Sequence, residues 1–345
     1  MAEAASNDPL GNPAAFLLMV RGLSEAGRTG MVSSLIDKAN ALYAGDPFWE
    51  AAIRQSVVHL IPGFHDSMLR DTARNRVYRE ALEGHAAGRR VLDIGTGSGL
   101  LSMMAARAGA THVYACEANA LLARAANKVI EANGLADRIT VLTKPSIELD
   151  PEADLGSRVD LIVSEIISDD MYGEALLPSL NDASRRLIKD DGIFLPSMTS
   201  VQVALVDFGG MPEFTSDVEG FDLSASTQLL SRNIAVRASR ADLELQSSSA
   251  SLFMFHHAPG LTQSVVDSEI ANVTTRKGRA NAIAQWIKFE CGEGHQYANA
   301  PGGPANLHWR IQLTPIEPLE LSEGEVAAIE AHRDQLGMVL HARAA

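Results

Sequence analysis

The stretch that decides the fold of this 345-residue chain is Val91–Ser102, which reads VLDIGTGSGLLS. It begins as an apolar strand, continues through a glycine-rich turn and ends in the start of a helix. The three glycines, Gly95, Gly97 and Gly99, permit a tight turn and let a ligand approach the backbone closely. This order of elements predicts a ligand-binding strand–turn–helix unit of an α/β fold.

Two acids flank this turn. Asp93 lies in the strand before it, and Glu117 ends the next apolar strand, 18 residues beyond Gly99. An acid at the tip of the second strand is placed to accept hydrogen bonds from ribose hydroxyls. The glycine spacing is one residue tighter than the dinucleotide form G-x-G-x-x-G, which favours S-adenosylmethionine over a pyrophosphate cofactor. The sequence therefore predicts a nucleoside cofactor.

A second informative stretch follows the apolar run Val159–Val163. It contains two glutamates nine residues apart, Glu165 and Glu174, in a loop at the carboxyl end of the predicted strand, where open α/β sheets place their ligands. Two carboxylates that meet there repel each other unless a cation lies between them. A guanidinium suits that position because it is planar, permanently charged and carries a fork of N–H donors.

Five segments of the chain, in family order, resemble the protein arginine methyltransferase family, and within it the monomethylating type III branch. The resemblance extends from Gly63 to the C-terminus, about four-fifths of the chain. In the family these segments are the cofactor-gripping helix, the first two cofactor motifs, the double-glutamate loop, a segment early in the second domain and the threonine–histidine–tryptophan loop. Here they are Gly63–Arg74, the glycine turn with Glu117, Glu165–Glu174, Val218–Ser224 and Asn306–Trp309.

The resemblance implies an enzyme that transfers a methyl group from S-adenosylmethionine to the guanidinium of an arginine in a protein or peptide. Glu165 and Glu174 would bind the guanidinium. Asp71 would face the imidazole of His308, which would receive or relay the departing proton. No metal is expected. The residues expected to bind the cofactor are Met68, Arg74, Asp93, Gly95, Gly97, Gly99, Glu117 and Ser146.

Two departures from the family pattern leave other readings open. The stretch Gln55–Leu60 has no aromatic residue where the family has tyrosine and phenylalanine, and a leucine precedes His308 where the family has threonine. A methyltransferase of free arginine or another small guanidine is therefore an alternative, and a non-catalytic adaptor with the methyltransferase fold is a third. Asp169 and Asp170, inside the double-glutamate loop, would select basic substrates or be solvated, and we expect solvation.

The length and composition of the chain limit the classes of protein to which it can belong. The length predicts two domains, and 46% hydrophobic residues suffice for packed cores. The formal net charge of −14, with no basic cluster, argues against nucleic-acid binding and suits a cationic substrate. No apolar run approaches the roughly 18 residues of a membrane span, and the start lacks the basic and apolar regions of a secretion signal. With only two cysteines, Cys116 and Cys291, these features predict a cytoplasmic protein.

Three regions are predicted along the chain. Residues 1–60 form a helical extension, residues 61–196 a Rossmann-like cofactor domain with a doubly wound parallel sheet, and residues 197–345 a β-barrel-like substrate and dimerisation domain.

Three local expectations complete the prediction. Asp71 should lie within a helix, and another helix should run from Tyr172 to Ile188. The region around Gly220–Asp222, with helical material over Leu223–Leu230, resembles the family's dimerisation segment and implies a homodimer.

Overall fold

The computed structural model describes residues 9–57, 64–211, 217–223, 225, 233–292, 294–334 and 337–344. The chain divides into two compact units. The first unit comprises residues 1–69 and 82–165, and the second comprises residues 70–81 and 166–345. The predicted domain boundaries at residues 60 and 196 stay predictions.

The first unit carries four parallel strands in the order β3-β2-β1-β4. Asp93 in β1 lies opposite Ala115 in β2 and Val163 in β4, so the carboxyl ends of these strands share one edge. The two central strands, β1 and β4, are buried almost throughout, which explains their apolar runs. The elements are α1 (Pro13–Glu25), α2 (Thr29–Leu42), α3 (Pro47–Val57), α4 (Phe64–Arg70), α5 (Thr72–His85), β1 (Arg90–Ile94), α6 (Leu100–Arg107), β2 (His112–Cys116), α7 (Ala120–Ala132), β3 (Ile139–Leu142) and β4 (Val159–Ser164), with α4 ending and α5 beginning in the second unit.

The three N-terminal helices have an apolar core of their own. Phe16 and Trp49 meet edge to face at 5.6 Å between ring centroids, and Ile36 and Ile53 are buried with them. Helix α2 also packs on α7, where the Asp37 carboxylate forms ion pairs with Arg124 and Lys128. The helical extension is therefore fixed to the helix that follows the second strand of the sheet.

The second unit is built mainly of antiparallel strands. Its largest sheet has seven strands along the path β10-β6-β13-β15-β9, with β11 paired to β6 and β14 to β13. A three-stranded sheet, β12-β16-β17, and the hairpin β7-β8 accompany it. The elements are α8 (Leu176–Arg186), β5 (Ile188–Leu195), β6 (Met198–Phe208), β7 (Asp217–Val218), β8 (Phe221–Asp222), β9 (Ile234–Val236), β10 (Leu243–Leu245), β11 (Ala250–His256), β12 (Asp267–Thr274), β13 (Gly278–Glu290), β14 (Gln296–Ala298), β15 (Ile311–Leu321), β16 (Val326–Arg333) and β17 (Met338–Ala344).

Two local predictions are wrong. Asp71 does not lie within a helix: it separates α4 from α5 and caps α5, because its Oδ1 accepts a hydrogen bond from the Arg74 N–H at 3.0 Å. The helix expected from Tyr172 begins only at Leu176, because Ala175 has a φ of 55°, in the left-handed region.

Two further observations concern the predicted surfaces. Most of the expected dimerisation stretch Leu223–Leu230 lies outside the described residues, as do Val58, His59 and Leu60 of the segment without aromatics. Within the described part of the chain, no helix combines the length and apolar character needed to cross a membrane.

Candidate active site

The glycine turn of the first unit has left-handed backbone at three positions. Gly95, Gly97 and Gly99 have φ values of 75°, 55° and 84°. Any residue with a Cβ would be strained there. At Gly99 a Cβ would also come within 3.3 Å of the Ile130 side chain. Glycine is therefore needed at these positions both for backbone shape and for packing against α7.

Three N–H groups of this turn have acceptors that lie beyond the turn itself. Gly95 and Thr96 both donate to the Cys116 carbonyl at 3.0 Å, and Gly97 donates to Oε2 of Glu117, also at 3.0 Å. A pyrophosphate site needs free backbone donors at such a turn. The N–H groups of Gly95, Thr96 and Gly97 are therefore not available to a pyrophosphate, in agreement with the glycine spacing.

The two flanking acids have different tasks. Asp93 is fully buried, and its Oδ2 accepts hydrogen bonds from the hydroxyls of Thr96 at 2.7 Å and Ser102 at 2.6 Å. It therefore shapes the turn. Glu117 is 9% exposed, and its two oxygens accept backbone bonds from Gly97 and from Asn119. Each carboxylate oxygen can accept a second bond, so Glu117 fits ribose hydroxyls.

Two other expected cofactor residues, Met68 and Ser146, also belong to the first unit. Met68 is half-buried in α4, and Ser146 is buried in the short turn after β3. Lys144 binds the carboxylate of Asp154 at 2.7 Å and thereby holds the pKa of that carboxyl below its usual value. This pair fixes the loop that carries Ser146.

Asp71 is the centre of a hydrogen-bonded cluster in the second unit. Its Oδ2 accepts a bond from the Tyr297 hydroxyl at 2.7 Å and another from the backbone N–H of His308 at 2.8 Å. The structure therefore brings Asp71 and His308 together, as expected, but through the main chain of His308. The carboxylate therefore positions the histidine loop through its main chain.

Arg74 lies one turn beyond Asp71 and is 2% exposed. Its guanidinium stacks over the Tyr78 ring at 5.4 Å and donates to the Asn75 side chain at 2.7 Å. A buried arginine of this kind can bind a carboxylate, such as that of the cofactor's methionine moiety.

Sequence reasoning missed Tyr297, because a lone tyrosine at the centre of a short strand carries no distinguishing signal.

The loop that bears Glu174 is held by the segment that follows His308. The indole N–H of Trp309 donates to the Ile167 carbonyl at 2.6 Å. Arg310 donates to both carboxylate oxygens of Asp169, at 2.8 Å from its backbone N–H and 3.0 Å from Nε. Asp169 is therefore a structural anchor, and the expectation that it is solvated is wrong.

Asp170 builds the tip of the same loop. Its Oδ1 accepts bonds from the backbone N–H groups of Tyr172 at 3.0 Å and Gly173 at 3.1 Å. Met171, with a φ of 75°, is a non-glycine residue in left-handed backbone. Such strain is characteristic of functional loops. Glu174 is half-buried and comes two residues before α8.

The predicted acids of the double-glutamate loop fall in different units. Glu165 follows β4 as the last residue of the first unit and is 8% exposed. Glu174 belongs to the second unit, as do Asp71, Arg74 and His308. Asp93, the glycines and Glu117 form one cluster in the first unit. Among the described residues, His, Cys, Asp and Glu side chains form no group suited to a metal ion.

A segment of the chain that includes residues of both units matches the sequence model of a family of enzymes. Residues 78–198 match the sequence model of the ribosomal protein L11 methyltransferase family (PrmA). With this match, the parallel sheet and its glycine turn place the protein in the class of methyltransferases with a nucleoside cofactor.

Similar proteins show to which family of methyltransferases the chain belongs. The arginine N(omega)-methyltransferase of Streptomyces achromogenes subsp. streptozoticus is 38% identical over 307 residues, which are 86% of this chain and 84% of that protein. The chain belongs to the arginine N-methyltransferase family. The probable protein arginine N-methyltransferase 6 of Arabidopsis thaliana is 35% identical over 190 residues, 52% of this chain and 42% of that protein.

A solved structure shows the same fold. The Trypanosoma brucei PRMT1 enzyme–prozyme heterotetrameric complex with AdoHcy matches with a TM-score of 0.70 at 23% identity, covering 82% of this chain and 93% of that one. The predicted α/β fold class, family and enzyme class are confirmed. The family takes its methyl group from S-adenosylmethionine, which agrees with the predicted cofactor. The type III branch and the roles of single side chains stay predictions.

Proposed function

We propose that this protein transfers a methyl group from S-adenosylmethionine to a terminal nitrogen of an arginine guanidinium, with arginine in a protein or peptide as the acceptor. The observation that carries the proposal is the loop before Glu174. Long-range bonds from Trp309 and Arg310 fix it, although the loop itself is strained. Protein structures maintain such a loop where a side chain must be held for binding or catalysis.

The proposed role of the two glutamates is to offset the repulsion between two cations. When bound, S-adenosylmethionine supplies an activated methyl group on a sulfonium cation. A guanidinium beside it is repelled, by about 4 kcal/mol at 4 Å with an effective dielectric of 20. Glu165 and Glu174 would offset this repulsion, orient the guanidinium and localise its charge, so that one nitrogen is left to attack the methyl carbon.

The proton that leaves the methylated nitrogen needs an acceptor. We assign this role to His308, whose main chain is held by Asp71. For cofactor binding we assign Glu117 to the ribose hydroxyls, Arg74 to the methionine carboxylate and Met68 to the neighbourhood of the sulfonium. Ser146 would contact the adenine edge, and Asp93 with the three glycines shapes the turn.

Free arginine is a second candidate acceptor, and one observation favours it. The relative from Streptomyces achromogenes subsp. streptozoticus matches most of both chains, and its name specifies arginine without a protein. The named protein arginine methyltransferase from Arabidopsis thaliana is matched over 42% of its length. A non-catalytic adaptor would lack affinity for S-adenosylmethionine, which calorimetry measures.

The decisive experiment replaces Glu165 by Gln. This change keeps the size of the side chain and removes its charge, so methyl transfer should fall about 1,000-fold while S-adenosylmethionine binds as before. Labelled cofactor should be offered with arginine peptides, free L-arginine and cell lysate. Glu152→Gln, an exposed acid of the same unit, serves as the control. Normal turnover by Glu165→Gln would refute the proposal.

We further propose a cytoplasmic homodimer of the monomethylating branch. The hairpin β7-β8 exposes Val218 and Phe221, at 43% and 69%, and Leu223 beyond it is 41% exposed, which suits a protein interface. The solved Trypanosoma brucei structure is an oligomer by its name. Both cysteines are buried free thiols, which suits a reducing compartment. Light scattering measures the oligomeric state, and mass spectrometry of the product counts the methyl groups that are added. Cell fractionation measures the location.

A further inference from the structure

A cavity of about 260 Å³ lies within the second unit, beside the loop that bears Glu174. Its walls come from both sides of Glu174 in the sequence, because Tyr172 and Gly173 line it before that residue and Ala175 after it. The first turn of α8, with Val265, Arg333 and Asp334, completes the lining.

Arg333 is the unusual group in its wall. The side chain is only 1% exposed, and its guanidinium lies between the rings of Phe253 and Phe255, at 4.8 and 4.6 Å. Nη2 donates to the Ser264 carbonyl at 2.6 Å and lies 3.8 Å from Oδ2 of Asp267, an exposed carboxylate that forms a long ion pair with it. Nε and Nη1 are buried without a hydrogen-bond partner among the described residues. Burial lowers the pKa of Arg333 below its ordinary value, and unpaired guanidinium donors are unfavourable in such surroundings.

Two further donors line the same cavity. The Tyr172 hydroxyl is buried and has no hydrogen-bond partner among the described residues. The first turn of the eleven-residue helix α8 presents backbone N–H groups, and its N-cap, Ala175, supplies no side-chain cap. A guanidinium, a phenol and a helix N-terminus all favour an anion, and a planar carboxylate matches the guanidinium fork.

We propose that this cavity is a carboxylate subsite for the arginine acceptor. The proposal rests on the proposed function, because it places the subsite beside the loop of Glu174, the acid assigned to the guanidinium. The carboxylate could come from two sources. One is the α-carboxylate of free arginine, whose ammonium group suits the exposed Asp334 at the cavity wall. The other is an acidic side chain or C-terminus next to an arginine in a peptide.

The first test compares acceptors that differ only in the carboxylate. L-arginine is paired with agmatine, which lacks it, and an arginine peptide with an aspartate neighbour is paired with the same peptide carrying alanine. The subsite predicts a KM at least tenfold lower for the carboxylate member of one pair, with a smaller change in kcat. The pair whose two members differ in KM identifies the source of the carboxylate. Equal KM values within both pairs would overturn the proposal.

The second test uses variants. Tyr172→Phe keeps the ring and removes the unpaired hydroxyl, so KM for the responding acceptor should rise severalfold while KM for its partner lacking the carboxylate stays unchanged. Arg333→Gln should have the larger effect in the same direction. Arg343→Gln, an exposed arginine paired with Glu330, is the matched control. A loss of melting temperature in Tyr172→Phe or Arg333→Gln without this KM pattern would show a structural role only.

A binding measurement separates the subsite from the proposed function. Acetate alone should protect the wild-type protein against thermal unfolding more than chloride does at equal ionic strength, and Tyr172→Phe should weaken this protection. If no guanidine acceptor is methylated but acetate still protects, the proposed function fails and the subsite stands. If methylation proceeds but acetate does not protect and the paired acceptors behave alike, the subsite fails and the proposed function stands.

Discussion

The two loops that define the candidate active site are held in contrasting ways. The glycine turn of the first unit is tied to residues close in sequence: Gly97 bonds to Glu117, 20 residues away. The loop before Glu174 is tied to residues far along the chain, since Trp309 bonds to Ile167 across 142 residues. The glycine turn is thus shaped by its own neighbourhood, whereas the loop before Glu174 depends on the completed second unit.

This difference predicts that the two functions can be separated by mutation. Changes at the glycine turn should weaken cofactor binding, whichever acceptor is present. Changes at the anchors of the Glu174 loop should lower turnover and leave cofactor affinity unchanged. Three substitutions test this separation.

Of these three substitutions, Glu117→Ala should have the largest effect. The change removes the proposed ribose acceptor and the partner of two backbone N–H groups, those of Gly97 and Asn119. Since a hydrogen bond to a charged group contributes about 1.5–3 kcal/mol, the Kd for S-adenosylmethionine should rise about 100-fold by calorimetry. Glu131→Ala, an exposed acid on α7, should bind normally. An unchanged Kd in Glu117→Ala would contradict the proposed separation of functions between the glycine turn and the loop before Glu174.

A smaller effect is expected for Trp309→Phe. Phenylalanine retains an aromatic ring against Phe289 and Tyr297 but cannot donate to the Ile167 carbonyl. A buried group left unpaired costs about 1–3 kcal/mol, so kcat should fall at least about tenfold with the cofactor Kd unchanged. Trp286→Phe, a buried tryptophan of the same unit, is the control. Weakened cofactor binding in Trp309→Phe would show that the two loops are not independent.

The smallest effect is expected for Asp169→Asn. Its partner Arg310 has a side chain that is 56% exposed, so solvent screens the ion pair, and such pairs contribute about 0.2–1 kcal/mol. We expect kcat to fall by less than about fivefold. Asp242→Asn breaks a comparable exposed pair with Arg240 and should leave kcat unchanged. A loss as large as that of Trp309→Phe would assign Asp169 a direct role in acceptor binding.

The sequence predicted those parts that depend on local pattern. The glycine turn, Glu117 and the parallel strands around Asp93 are found where expected, because apolar periodicity and glycine spacing determine them within about 30 residues. Strands β12 and β16 were not predicted: they pair with each other between Asp267 and Arg333, and their alternation is diluted by alanine and charged residues.

The parts that the sequence did not predict depend on tertiary contacts. The break at Asp71 is stabilised by Tyr297 and His308, more than 220 residues away, and helix propensity around Asp71 gives no sign of it. The anchoring of Asp169 by Arg310 likewise appears only when the second unit is folded. Tertiary context overrides local propensity at both places.

The bond from Trp309 to Ile167 also gives the protein an internal optical reporter. The chain contains three tryptophans. The other two, Trp49 and Trp286, are also buried. Replacing both with phenylalanine would leave a single emitter whose indole is bonded to the loop before Glu174. Its emission wavelength and quenching by iodide would then follow the opening of that loop in real time, without an attached dye.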